Sequence, residues 1–430
     1  MMVEPLKVAL LGCGVVGSQV ARVLIEQADE LRARIGRPLE LVGIAVRDAT
    51  KDRPGIDPAL LTTGSGALVR RPDVDIVIEL IGGIDPAREL IMAAVGSGAS
   101  VVTANKALLA SDGPAIYAAA EANGVDIYFE AAVAGAIPII RPLRESLVGD
   151  EITGVAGIVN GTTNFILGKM DAEGASFADA LAQAQAQGFA EADPTADVEG
   201  HDAAAKAAIL ASLAFHTRVT LDDVSREGIT GITAGQIQAA RELGCVIKLL
   251  ARCQVGEDGS VGASVHPTMV PRTHPLAAIG GAFNAIMIES RYAGRLMFMG
   301  PGAGGTPTAS AVMGDVVTAA RNRARGTVGP GESAYCDRAI TPAAELRSRY
   351  YVSMVVDDRP GVLADIAACF ARHGISLRAV RQSQEDADAG ARLIVMTHAA
   401  KQADVDATIA EFAAMDQVKS AVDTMRVEGV

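Results

Sequence analysis

The sequence predicts an α/β protein with three parts: a parallel, doubly wound nucleotide-binding sheet, a second α/β domain, and a C-terminal βαββαβ unit. Three observations predict it. Apolar runs of strand length alternate with helical stretches through residues 1–130, a glycine turn separates the first run from the first helix, and residues 350–430 follow a different strand and helix order.

Taken in order, residues 6–11 are an apolar strand, 12–17 a glycine turn and 18–34 a helix. Strand-like runs follow at 39–46 and 74–81, then a helix at 86–96, a strand at 100–103, a helix at 113–123 and a strand at 126–130. From 131 the texture changes. Ala-rich helices at 176–187 and 200–215 sit among β-like runs at 151–159, 248–255 and 285–291. A helix at 308–323 is expected to return to the first domain, and the Gly/Pro-rich stretch 326–332 reads as a linker. Beyond it come strand 351–356, a turn at Asp358-Arg359-Pro360-Gly361, helix 362–373, two strands ending at 398, helix 403–415 and strand 418–427, the ferredoxin-like order. The expected domains are 1–130, completed by about 306–345, then 131–305, then 350–430 as a separate unit.

Composition narrows the function. A net charge of −13 repels phosphodiester backbones, and no Lys/Arg run carries interleaved aromatics, so nucleic acid is not an expected partner. Cys13, Cys245, Cys253, Cys336 and Cys369 are odd in number and never spaced C-x-x-C, which suggests reduced thiols in a reducing compartment. No signal-peptide pattern opens the chain and no apolar run reaches membrane-spanning length. A soluble cytoplasmic protein with no membrane partner is expected.

Gly12-Cys13-Gly14-Val15-Val16-Gly17 matches G-x-G-x-x-G between a strand and a helix. Glycines there permit the tight turn and let backbone N–H groups and the helix N-terminus approach a pyrophosphate, the fingerprint of a Rossmann-type dinucleotide site. The competing reading is a purely structural turn. At the end of the second strand, Arg47 precedes Asp48, with Lys51 close by. An Asp would accept from a ribose 2′-hydroxyl and an Arg would receive a 2′-phosphate, so NADP is favoured while NAD stays open. A solvated surface pair is the plainer alternative.

Thr103-Ala104-Asn105-Lys106 follows a short strand on the ligand side of the sheet, where a Lys can polarise a carbonyl or hold a carboxylate. Five carboxylates fall between 191 and 202, followed by Lys206 in an apolar helix. Asp202 and Lys206 are i and i+4, and Ile209 and Leu213 continue their face, so the charged pair aligns with a burying stripe. An exposed salt bridge at a helix start is the bland reading; a partly buried lysine tuned for proton transfer is the sharper one. An amino-acid substrate suits the mixture, with carboxylates for its ammonium and lysines for its oxo group and the proton that accompanies hydride transfer. A metal cluster fits less well, because His201 stands alone.

These segments, with Glu130 to Pro138, Asn160-Gly161-Thr162-Thr163-Asn164 and Gly300-Pro301-Gly302-Ala303-Gly304-Gly305-Thr306-Pro307, resemble homoserine dehydrogenase over nearly all of residues 1–345. The resemblance implies reversible NAD(P)-dependent interconversion of homoserine and aspartate semialdehyde in threonine and methionine biosynthesis. Lys206 would be the proton donor and Lys106 a second catalytic lysine. Glu191 would bind the substrate amino group, with Asp197 and Asp202 lining the site. Thr103, Lys106, Gly188 and Gly305 would join Gly12, Gly14, Val15, Val16, Gly17 and Arg47 at the cofactor, Gly305 against the nicotinamide unless it is an ordinary turn glycine. The family's monovalent-cation site, sodium by preference, would map onto Glu130, Val133, Gly135 and Ile137, one carboxylate and backbone carbonyls supplying hard oxygen ligands.

Residues 350–430 resemble an ACT domain through Val356 to Leu363 and Gly374-Ile375-Ser376-Leu377. That resemblance implies an amino-acid effector, threonine as the pathway product, held near Asp358, Gly361 and Val362, and a homodimer or homotetramer. A dimerisation module without ligand is the alternative. The length leaves no room for a kinase domain upstream, so a monofunctional enzyme is expected. Two other readings stay open: another ACT-bearing dehydrogenase, which would need a His paired with a carboxylate, and a non-enzymatic nucleotide and amino-acid sensor.

Overall fold

The computed structural model describes residues 4–331, 335–384 and 390–429. They form two compact units, Met1–Gly161, Asp202–Asp222 and Ala282–Arg338 in the first and Thr162–His201, Asp223–Gly281 and Ala339–Val430 in the second. Residues 131–305 thus contribute to both. Residue 332, the end of the expected linker, lies outside the described residues.

The first unit opens with β1 (Leu6–Leu11), α1 (Val15–Glu26), α2 (Ala28–Ile35), β2 (Leu39–Ala45), β3 (Leu61–Thr62), α3 (Ser65–Val69), β4 (Ile76–Glu79), α4 (Ala87–Gly96), β5 (Ser100–Thr103), α5 (Lys106–Asn123) and β6 (Ile127–Tyr128). The strands make a six-stranded parallel sheet in the order β3-β2-β1-β4-β5-β6. Because β2 and β4 flank β1, the connections leave β1 and β4 in opposite directions and open a crevice at their carboxyl ends, where ligands of such sheets bind. Val8 and Leu10 of β1 and Ile76 and Ile78 of β4 are fully buried in its core.

Three elements differ from the expected ones. The helix expected at 18–34 is two, α1 and α2, because Gln27 leaves helical geometry (φ −107°, ψ 21°); α2 then buries Leu31 and Ile35 and ends at left-handed Gly36. The helix expected from 113 starts at Lys106, because the Asn105 side chain caps the N–H of Leu108 and buried Leu108, Leu109 and Ile116 hold the helix through Pro114. The strand expected over 74–81 shrinks to four residues. Just past it the Glu79 carboxylate accepts from the N–H groups of Ile81 and Gly82 (2.8 and 3.0 Å) and turns the chain away.

Further elements are β7 (Ile152–Ile158), α6 (Gly161–Glu173), α7 (Phe177–Ala186), α8 (Thr195–Val198), α9 (His201–Phe215), β8 (Val224–Arg226), α10 (Ala234–Glu242), β9 (Cys245–Val255), β10 (Val261–Pro271), β11 (Phe283–Ser290), β12 (Gly294–Pro301) and α11 (Gly305–Arg325). In the first unit β12, β11 and β7 pair antiparallel. Val312 and Val316 of α11 pack in the core of the parallel sheet, the return expected for this helix. In the second unit β9 and β10 pair antiparallel along their whole length. The sequence reading missed β10, which contains Pro267, a residue that demotes a strand run, and missed α10, whose Thr233/Gln236 capping box was a usable signal.

The chain ends with β13 (Arg347–Val356), α12 (Val362–Arg372), β14 (Leu377–Gln384), β15 (Ala391–Thr397), β16 (Ala400–Lys401), α13 (Gln402–Ala413) and β17 (Asp423–Val427). The antiparallel order β17-β13-β15-β14 is that of a βαββαβ fold. It does not stand apart within its unit: β17 pairs in parallel with β10 through Arg426 and Val427. No described helix is long and apolar enough to cross a membrane.

Candidate active site

The glycine turn closes β1 onto α1. Gly12 has φ +95°, and a Cβ on it would lie 2.7 Å from the Leu80 carbonyl oxygen; a Cβ on Gly17 would collide with the carbonyl of Gly12. Gly14 has nothing within 4 Å of such a position, so its backbone faces open space just before α1 begins at Val15. Open backbone before an uncapped helix N-terminus suits an anionic pyrophosphate. The adjoining cleft, about 710 Å³, is also lined by Arg47, Asp48, Lys51 and Arg53. The Asp48 carboxylate accepts from Thr50 Oγ1 (2.6 Å) and Thr50 N (2.8 Å), which holds its pKa below the usual value. Arg53, overlooked in the sequence reading, donates to the carbonyls of Asp48 and Lys51 and so pins this loop. Gly305 opens α11, and a Cβ there would lie 3.0 Å from Val15 atoms, so it is at least a packing glycine against α1.

Loops beyond β4 and β5 are tied together. Thr103 Oγ1 donates to Glu79 Oε2 (2.6 Å) and accepts from Asn105 N (3.0 Å), while Asn105 Nδ2 donates to Gly83 O. This network of buried side chains fixes the start of α5 and thereby Lys106, its first residue. Neither Glu79 nor Asn105 was singled out from the sequence.

Lys106 Nζ lies 2.6 Å from Asp202 Oδ1, and Lys206 Nζ lies 2.7 Å from Asp202 Oδ2. Lys206 is 8% exposed and also donates to the Val159 carbonyl (2.7 Å); Asn160 Nδ2 donates to Asp202 Oδ2 (2.9 Å). The shared face read from the i, i+4 spacing is present, and it faces the end of β7. Burial alone would push the Asp202 carboxyl up, but the ammonium groups of Lys206 and Lys106 outweigh it and hold the pKa far below the usual carboxylate range. One carboxylate therefore orients two ammonium groups.

Three further expected site residues lie in the second unit. Gly188 (φ +74°) follows the cap of α7, Glu191 is exposed on the following loop with its carbonyl accepting from Gln185 Nε2, and half-buried Asp197 lies on α8. Also in that unit, buried Lys248 donates to Asn164 Oδ1 (2.8 Å) and the Ile279 carbonyl (2.6 Å), and burial lowers its pKa to about 8. Between that value and 10.5 the unfolded chain holds a proton that the folded chain has released, so stability rises with pH across this window. Urea unfolding should show wild type gaining about 3 kcal/mol relative to Lys248→Met between pH 7.5 and 10.5. A pH-independent difference would mean that Lys248 stays charged.

In the loop after β6, Glu130 uses both carboxylate oxygens to accept from the N–H groups of Ile139, Ile140 and Arg141 (2.6, 2.7 and 2.9 Å), so the carboxylate caps this stretch of backbone. Its own N–H donates to buried Asp315, which pairs with Arg141 (2.7 Å). Ala134 and Gly135 are both left-handed (φ 59° and 58°), and a Cβ on Gly135 would lie 2.5 Å from the Gly302 carbonyl oxygen. What this turn can offer a cation is backbone carbonyl oxygen, from Glu130, Val133, Gly135 and Ile137.

In the C-terminal fold, Asp358, Gly361 and Val362 line a cavity of about 400 Å³. Gly361 is left-handed (φ +97°) at the N-cap of α12, and Asp358 Oδ1 accepts from Gln382 Nε2 (3.2 Å).

Comparison with known proteins agrees with this layout. The chain matches the family models described as homoserine dehydrogenase, NAD binding domain, over residues 12–130, homoserine dehydrogenase over 138–317, and ACT domain over 350–416. It is 56% identical to the homoserine dehydrogenase of Corynebacterium glutamicum, over 98% of this chain and 95% of that one. It superimposes on the crystal structure of a homoserine dehydrogenase from Thiobacillus denitrificans with a TM-score of 0.92, at 41% identity and 99% coverage of both chains. A hyperthermophilic archaeal homoserine dehydrogenase, whose structure is a complex with NADPH, matches with a TM-score of 0.64 at 27% identity, over 77% of this chain and all of that one. With a nucleotide-binding sheet, a lysine pair on one carboxylate and an ACT fold in that order, the chain belongs to the homoserine dehydrogenase family of NAD(P)-binding oxidoreductases.

Proposed function

We propose that the protein reversibly interconverts L-homoserine and L-aspartate 4-semialdehyde in threonine and methionine biosynthesis, in the cytoplasm, with Lys206 as proton donor. The observation that carries this is the Asp202 carboxylate shared by Lys106 and Lys206. An ammonium has three N–H donors. Those of Lys206 serve Asp202 and Val159, leaving one for the substrate oxygen. Bound nicotinamide supplies the hydride to the aldehyde carbon, or takes it back from the alcohol. Lys206 then gives the forming alkoxide its proton, or receives it in the reverse direction, while Lys106 orients the same oxygen. Glu191 holds the substrate ammonium and Asp197 supports it. Thr103, Lys106, Gly188 and Gly305 contact the cofactor along with the glycine turn. The functional division is 1–130 with 306–345 for cofactor, 131–305 for catalysis and 350–430 for regulation.

NADP is the preferred cofactor. Asp48 is engaged by Thr50, whereas Arg47, Lys51 and Arg53 line the cleft, an arrangement that favours a 2′-phosphate over a bare ribose. Arg53→Ala should raise KM for NADP roughly ten- to hundredfold and leave NAD nearly unchanged, since a charge-assisted hydrogen bond contributes about 1.5–3 kcal/mol; equal effects on both cofactors would reduce Arg53 to a loop brace. A monovalent cation of sodium type is held by the carbonyls of the 130–137 turn, where it fixes the loop packed on Gly302. Threonine binds at Asp358, Gly361 and Val362 and inhibits. The protein self-associates as a homodimer or homotetramer, supported by exposed Phe283, Met297 and Met299 on β11 and the edge strand β12.

The direct test is spectrophotometric: homoserine-dependent reduction of NADP and NAD, with and without threonine, on the full chain. No homoserine-dependent turnover with either cofactor sinks the reading. Inhibition that persists in Asp358→Ala places the effector site elsewhere, a cleaner test than truncation because β17 pairs with β10.

A further inference from the structure

Away from the lysine pair, three side chains of the C-terminal fold converge with no role in the reaction above. Cys369 and His373 stand four residues apart at the C-terminal end of α12, one turn along the same face, and Glu411 faces them from α13. His373 Nε2 lies 2.9 Å from Glu411 Oε2, and one ligand atom of each residue lies within 4.8 Å of the other two. We propose that Cys369, His373 and Glu411 form a divalent transition-metal site, with zinc as the fitting ion, that clamps α12 to α13.

The chemistry favours that ion class. Thiolate, imidazole and carboxylate together suit zinc, whereas calcium and magnesium take oxygen ligands alone. With Zn–S near 2.3 Å and Zn–N or Zn–O near 2.0–2.1 Å, donor atoms in a tetrahedral site stand roughly 3.3–3.7 Å apart. The present spacing needs only small side-chain adjustments to reach that. On binding, the Cys369 thiol loses its proton to solvent, His373 offers its Nε2 lone pair with the proton on Nδ1, and Glu411 turns Oε2 to the ion. A thiolate and a carboxylate balance the two positive charges. Arg372, which pairs with Glu411 through Oε1 and also lies against the Cys369 thiol, has to turn away from the sulfur as the ion binds. A water completes the tetrahedron.

Access is one-sided. Cys369 is fully buried in the apolar core of this fold, while the side chains of His373 and Glu411 are 26% and 33% exposed, so an ion enters past them and meets the thiol last. The plainer alternative is a hydrogen-bonded His–Glu–Arg surface cluster over a core cysteine, and it makes a different prediction.

The test uses the full-length chain, stripped with a chelator and titrated with Co²⁺ alone as a spectroscopic stand-in for zinc. One Co²⁺ per chain should bind with thiolate-to-cobalt charge-transfer absorption in the near ultraviolet and tetrahedral d–d bands in the visible, and Zn²⁺ should bleach both. Cys369→Ser should lose the charge-transfer band while Cys336→Ser, at the exposed cysteine, keeps it. His373→Gln and Glu411→Gln should each weaken Co²⁺ binding at least tenfold, and they decide the matter if Cys369→Ser does not fold. Absence of the charge-transfer band in wild type at saturating Co²⁺, its persistence in folded Cys369→Ser, or unchanged affinity in both His373→Gln and Glu411→Gln overturns the site.

Discussion

Replacing Lys206 by methionine is expected to lower kcat for homoserine oxidation by about 10²–10⁴-fold, the range that a positioned acid or base contributes. Methionine keeps the unbranched stem in a site where Lys206 is almost wholly buried, so α9 retains its packing. Only the ammonium and its bonds to Asp202 and Val159 are lost. Because the glycine turn at 12–17 is built from other residues, NADPH binding measured by its fluorescence should stay within about twofold of wild type, and the loss should fall on kcat rather than on cofactor affinity. Lys106→Met separates the two lysines. With its side chain 42% exposed and paired with Asp202, Lys106 is better placed to orient than to exchange a buried proton. Its replacement should therefore raise KM for homoserine as well as lower kcat, and should cost less in kcat than the Lys206 variant. Should Lys206→Met keep kcat within tenfold of wild type while Lys106→Met abolishes turnover, the proton donor is Lys106.

What could be read from the sequence was what is local in it. The G-x-G-x-x-G turn and the Asp202/Lys206 pair depend on spacings of a few residues, and each is present with the geometry its spacing implies. Contacts between distant segments had no such signature. Nothing near Glu79 announces Thr103, nothing near Asp202 announces Lys106 or Asn160, and the Asp315 carboxylate meets the Glu130 N–H across 185 residues. Glu130 shows the limit most clearly: its carboxylate accepts from the N–H groups of Ile139, Ile140 and Arg141, contacts that no short spacing announces. Two of the element errors have the same origin, since tertiary burial of Leu108 and Ile116 carries α5 through a proline, and full pairing with β9 carries β10 through another.

Asp202→Asn should be the most disruptive neutral replacement in this cluster, costing about 3–5 kcal/mol of stability as well as most of the activity. Asparagine preserves the shape and can still hydrogen-bond, but it leaves Lys206 charged and buried with no anion, the condition under which breaking a buried pair is most destabilising. The Lys106 side of the pair contributes little to that figure, because an ammonium more than a third exposed is largely solvated and screened. The sign of the pH dependence follows from the depressed pKa. An unfolded Asp202 takes up its proton near pH 3.8, whereas the folded carboxyl holds off protonation to far lower pH. The stabilisation is therefore fully present above that unfolded value and is lost as pH falls toward the folded one. Urea unfolding of wild type and variant should give a difference that is flat between pH 8 and 5 and shrinks below about pH 4. A difference that grows on acidification would mean that Asp202 is protonated in the folded protein. Asp202→Glu, which restores the charge on a longer arm, should recover much of the stability and little of the turnover, because two ammonium groups held by one carboxylate keep their positions only if that carboxylate keeps its own.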